Sequence, residues 1–99
     1  MSTYSLLVVT ATPNPNEMAS VQEYLQGVMP LFAQAGAELV SRSKVSEVLK
    51  GNPVGMVLVM KFESDDVIKT LFNLPEYQAL VPVRDKGFKE INIMISHEL

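Results

Sequence analysis

Residues 54–63, VGMVLVMKFE, place apolar side chains on both faces of what reads as a single strand. Side chains alternate along an extended chain, so Met56, Leu58, Met60 and Phe62 point one way while Val57 and Val59 point the other. The same doubling appears in residues 3–11, TYSLLVVTA, where Leu6 and Val8 oppose Leu7 and Val9. In residues 89–97, KEINIMISH, Ile91, Ile93 and Ile95 share a face and Met94 stands behind them. An antiparallel sheet covered by helices on one side ordinarily turns a polar face to water on the other. These strands do not, so the second face needs a cover too. A second copy of the same sheet supplies it most simply, because large apolar patches are uncommon on monomers.

The remaining segments supply one layer of helices. In residues 12–17, TPNPNE, Asn14 can cap a helix, Pro15 suits its first position, and Glu17 completes a capping box. Apolar residues Met18, Val21, Leu25, Val28, Phe32 and Ala35 follow at spacings of three and four, one stripe for a core. Pro30 lacks an amide donor and predicts a kink between Gln26 and Pro30, and Gly36 ends the helix. Residues 37–49 read as a second strand, Gly51-Asn52 as a two-residue hairpin turn, and residues 54–63 as the third strand. Ser64 caps a short helix from Asp65 to about Phe72, with Asp65 and Asp66 in its first turn. The order is β-α-β-β-α-β: an α+β, ferredoxin-like, four-stranded antiparallel sheet with helices on one face. At 99 residues the expectation is one domain over residues 1–99.

Composition excludes several chemistries. There is no cysteine, which removes disulfides, thiolate metal sites and cysteine nucleophiles. Net charge is −3, so nothing draws a phosphate backbone by bulk charge, and nucleic acid is not expected as a partner. No apolar run reaches the ~18 residues of a membrane span, and no membrane partner is expected. The opening MSTYSLLVVTATPN lacks the basic start of a signal peptide, and the expected location is cytoplasmic. His97 is the sole histidine, and one histidine cannot build a multi-histidine metal site. Phosphate-loop and nucleophile-elbow patterns are missing. No metal and no cofactor are expected.

The densest polar segment is residues 73–85, NLPEYQALVPVRD. Asn73 and Glu76 have capping-box spacing, Tyr77, Leu80 and Val81 fall on one side, and Pro82 closes the segment before Arg84. Two readings stay open. Tyr77 is an anchor against the sheet while Arg84 pairs with Glu76 or Asp85. Alternatively Tyr77 and Arg84 line a cleft, where a phenol and a guanidinium suit a carboxylate or enolate oxygen. Arg42, between Ser41 and Ser43, is either on an exposed strand face or a pocket cation.

The stretch LFNLPEYQALVPVR resembles a motif of the bacterial family known as domain of unknown function 1330, within the dimeric α+β barrel superfamily. Pro75, Glu76, Tyr77, Gln78, Leu80, Pro82 and Arg84 carry the resemblance. Tyr24, Pro30, Gly36, Arg42, Val48, Leu49 and Gly51 add weaker matches. Leu71-Phe72, Val83 and Ala37 depart from the pattern in packing rather than polar chemistry. The resemblance implies a homodimer in which two four-stranded sheets close a barrel. It implies no activity. Superfamily relatives include cofactor-free monooxygenases, haem-degrading enzymes and lactone isomerases. The haem-degrading relatives use a helical histidine, which this chain lacks. The candidate ligand-binding residues are Arg42, Tyr77, Arg84 and Tyr24, in a cleft between helices and sheet that takes a small organic acid or similar metabolite. The alternatives are a cofactor-free monooxygenase or isomerase, and a structural or interaction dimer without chemistry.

Overall fold

The computed structural model describes residues 4–99. Strand β1 (Ser5–Pro13) leads through a single 3-10 turn (Pro15–Glu17) into helix α1 (Met18–Gln34). Strands β2 (Glu38–Lys44) and β3 (Met56–Phe62) follow, then helices α2 (Asp65–Phe72), α3 (Pro75–Gln78) and α4 (Val81–Gly87), and strand β4 (Phe88–Ser96). Thr3, the first residue of the expected opening strand, lies outside the described residues. The strands form one antiparallel sheet in the order β2-β3-β1-β4. This is the ferredoxin-like arrangement, with two short helices added to its last connection.

Register separates the two faces of the sheet. Leu7 pairs with Met60 and Ile95, and Val9 pairs with Leu58 and Ile93. These residues face the helices and form the core with Val21, Val28 and Phe32 of α1 and Ile68 and Leu71 of α2. Leu6, Val8, Val57, Val59 and Met94 occupy the alternate positions, and none of them packs against that core. Met94 is 44% exposed. The Cα atoms span 41 × 36 × 16 Å, a slab one sheet and one helix layer thick with an apolar outer sheet face.

Several local expectations change in physical detail. The Asn14 side chain caps the 3-10 turn by accepting from the Asn16 amide at 3.0 Å. Glu17 does not close a capping box but reaches Lys86 on α4 at 3.8 Å. Helix α1 runs unbroken through Pro30 to Gln34. Its buried stripe is rotated from the expected one, with Val21, Tyr24, Val28, Leu31 and Phe32 inside and Met18 and Leu25 exposed. Tyr24 is on the inward side, where its hydroxyl lies 3.0 Å from that of Tyr77. Met29 and Met94 are exposed as well.

Strand β2 is shorter than residues 37–49, and residues 45–55 form a loop instead of a two-residue hairpin turn. The ladder between the two strands ends at the Lys44–Met56 pair, and one further bond runs from the Val45 amide to the Gly55 carbonyl at 2.9 Å. Asn73 closes α2 as its C-cap, and Leu74 precedes α3 with Pro75 at its start. Pro82 does not close the segment. It sits in the first turn of α4, where a missing amide costs nothing. Arg84 is therefore on α4 with it.

Candidate functional site

Helices α2, α3 and α4 lean over β1 and β4 and leave a cleft of about 490 Å³. Its apolar wall is Leu7, Ile68, Phe72, Val81, Ile93 and Ile95. Its polar lining is Lys69, Asn73, Tyr77, Gln78 and Arg84. Volume and composition fit the usual form of a small-molecule site, an apolar hollow with a few placed polar groups. A second groove of about 340 Å³ lies between α1 and α2, but Asp66 is its only charged lining residue.

Tyr77 anchors the cleft. It is 1% exposed, its ring meets Phe72 edge-on at 4.6 Å between centroids, and it crosses Tyr24 at 6.2 Å. Its hydroxyl has two partners. The Tyr24 hydroxyl lies 3.0 Å away, and Arg84 Nη1 donates to it at 3.0 Å. Arg84 Nε donates to Asp85 Oδ1 at 3.1 Å. Among the described residues Arg84 Nη2 has no hydrogen-bond partner. Local sequence explains the alignment. The turn between α3 and α4 puts Tyr77 and Arg84 seven residues apart on neighbouring helices, while Gly87 lets α4 close on α1. A Cβ at Gly87 would stand 2.9 Å from the Val21 backbone nitrogen.

Burial pushes the Tyr24 phenol far above its ordinary range, and the hydrogen bond with Tyr77 adds to the effect. Tyr24 thus acts as a neutral hydrogen-bonding group around neutrality. For Arg84, burial works against the charge, but the bonds to Tyr77 and Asp85 outweigh it and raise its pKa further. The guanidinium is a permanent cation held in one orientation.

The structure brings together three of the four sequence candidates. Tyr77 and Arg84 line the cleft, and Tyr24 stands behind Tyr77 as its support rather than as a lining residue. Arg42 does not join them. It lies on β2, whose residues are all exposed, at the sheet edge opposite β4. Of the two expected partners for Arg84, Asp85 is the one in contact.

Sequence reasoning missed Lys69, Asn73 and Gln78 as cleft residues. Lys69 and Asn73 are one helical turn apart beside Ile68 and Phe72, a spacing that could have flagged them. The side-chain amide of Asn73 donates to the Lys69 carbonyl at 2.9 Å, and that of Gln78 to the Phe72 carbonyl at 2.7 Å.

A second polar cluster joins the strand ends to α2. Asp65, read from sequence as a simple helix-start residue, accepts hydrogen bonds from Ser5 Oγ and, at 2.7 Å, shares one with His97 Nε2. Here the carboxylate sits between serine and imidazole. A serine nucleophile needs the imidazole against its hydroxyl, so this cluster lacks the geometry for acyl transfer. The bond from Ser5, then that from His97, holds the Asp65 carboxyl below its ordinary range. Among the described residues no group of three or more His, Asp or Glu side chains could hold a metal ion, and no helix is long and apolar enough to cross a membrane.

The chain belongs to the family described as "Domain of unknown function (DUF1330)", which matches residues 4–98. No curated protein matches it. Among solved structures it is similar to a protein of unknown function from Rhodopseudomonas palustris, with 14% identity, a TM-score of 0.84, all of this chain covered and 85% of the other. It is similar to a protein from Bacteroides fragilis described as dimeric, of unknown function and ferredoxin-like fold, with 11% identity, a TM-score of 0.63 and 98% of each chain covered. A putative antibiotic biosynthesis monooxygenase from Nitrosomonas europaea matches at 11% identity and a TM-score of 0.71, over all of this chain and 93% of the other. At these identities the likeness concerns the fold alone.

Proposed function

We propose that this protein is a cytoplasmic homodimer whose cleft binds a small organic acid or similar metabolite, with Arg84 as the anion anchor. The observation that carries the reading is the Arg84 guanidinium, fixed by buried Tyr77 at the lining of an apolar hollow and with Nη2 uncommitted. A guanidinium held in place recognises a carboxylate at low entropic cost. A purely structural dimer would fill the hollow with Met and Phe side chains. Here Phe72 is the only such residue among the lining.

The dimer half of the reading rests on the apolar outer face of the sheet and on the B. fragilis neighbour that is described as dimeric. Two outer faces packed together bury at least the ~1,200 Å² of a specific interface. A cofactor-free monooxygenase or isomerase is the enzymatic version of the same site, and the N. europaea neighbour's name is its support. In that version Arg84 holds the enolate that develops on a bound acid.

Two measurements test the proposal. Sedimentation at micromolar concentration should give a dimer, and a monomer there removes the paired-sheet reading. Thermal melting with a panel of small organic acids should raise the wild-type midpoint, while Arg84→Ala should melt near wild type and respond to none. A wild type unmoved by every acid leaves Tyr77 and Arg84 as packing residues only.

A further inference from the structure

The cleft carries two cations, Lys69 on α2 and Arg84 on α4, and no carboxylate among its lining residues. That is unusual in a chain with 11 acidic and 8 basic residues. Asp85 partners Arg84 through Nε alone. Lys69 forms no ion pair among the described residues. The acid one helical turn before it, Asp65, feels the charge of Lys69 but takes its hydrogen bonds from Ser5 and His97.

The other polar lining groups are not cations and already hold partners inside the protein. The Asn73 and Gln78 amide nitrogens are bonded to backbone carbonyls, and the Tyr77 hydroxyl lies between Tyr24 and Arg84. Recognition of negative charge therefore falls on Lys69 Nζ and Arg84 Nη2. A monoanion matches only one of them and leaves the second without an anionic partner. From this we infer that the ligand is a dianion with an apolar body, a dicarboxylate whose one end meets Arg84 and whose other end meets Lys69. The inference rests on the carboxylate-binding reading above and narrows it to a substrate class.

The test compares succinate, glutarate and adipate with butyrate, pentanoate and hexanoate by titration calorimetry on wild type, Lys69→Gln and Arg84→Ala. Lys69 is exposed, so its glutamine variant should fold normally. In wild type the best diacid should bind about tenfold more tightly than the monoacid of equal length, the effect of one charge-assisted bond. Lys69→Gln should bring the diacid down to the affinity of its monoacid, and Arg84→Ala should abolish binding of both. Equal affinity for diacids and monoacids, or a preference that survives in Lys69→Gln, overturns the dianion inference and leaves the carboxylate site standing. Binding of no acid at all, or binding that persists in Arg84→Ala, overturns both.

Discussion

Two three-residue polar clusters cross-link the fold, one joining α1, α3 and α4 and the other joining the strand ends to α2, and they differ in depth. Tyr24, Tyr77 and Arg84 meet where both phenols are buried. Ser5, Asp65 and His97 meet near the surface, with the Asp65 and His97 side chains 35% and 60% exposed. Depth decides what each can do. The buried cluster contributes packing and holds a cation in place. The outer cluster fastens the end of β4 to the start of α2 and is open to protons. Their titrations also lie at opposite ends of the pH scale. The Tyr24 phenol is raised in the fold, so its contribution is complete below the unfolded value of ~10 and is lost as pH rises above it. The Asp65 carboxyl is lowered, so its contribution is complete above the unfolded value of ~3.9 and is lost as pH falls through the folded one.

The contrast breaks most sharply at Tyr77. Truncating a ring buried to 1% exposure by Tyr77→Ala should cost about 3–5 kcal/mol in denaturant unfolding. A variant as stable as wild type would remove the anchor role. Gly87→Ala should cost about 1–3 kcal/mol, because the new methyl group meets the backbone of Val21, which cannot rotate away. The same change moves α4, so acid binding at Arg84 should weaken with stability. Retained binding at full strength would show that Arg84 does not depend on the α1–α4 spacing. Tyr77→Phe isolates the hydroxyl and leaves the Tyr24 phenol without its buried partner. A loss of about 1–3 kcal/mol is expected. Arg84→Ala should cost under about 1 kcal/mol, since Tyr77 keeps Tyr24 as a partner.

The same depth explains what could be read from sequence. Strand periods and the Ser64 cap were legible because they are local: each depends on residues within a turn or a strand. Tyr77, between Pro75 and Pro82, and Arg84, two residues beyond Pro82, were legible because the prolines restrict the backbone around them strongly. The role of Pro82 was not, because a proline that ends one turn can equally begin another, and only the packing of α4 on α1 decides. Arg42 could not be placed without the sheet order, which sends β2 to the far edge. The Ser5–Asp65–His97 cluster joins residues 60 and 32 positions apart, with no periodicity to announce it. A histidine near the end of the chain reads as a tail until β4 is paired with β1.

The outer cluster offers the smallest effect, and the one that best separates the two regions. Asp65 is depressed by two donors, so removing either should leave it less depressed. The acid-side fall in thermal midpoint, followed from about pH 6 to about pH 3 across the ordinary carboxylate range, should be steepest in wild type. Asp65→Asn cannot titrate there and should fall least. His97→Ala, which keeps Ser5 as donor, should lie between them. Tyr24→Phe should follow wild type throughout this range and differ only at alkaline pH, where its profile should lose the fall that begins above ~10. Identical acid profiles for wild type and Asp65→Asn would mean that the surface bonds to Ser5 and His97 give way to water without cost. In that case β4 is held to α2 by the apolar contacts of Ile93 and Ile95 with the core alone.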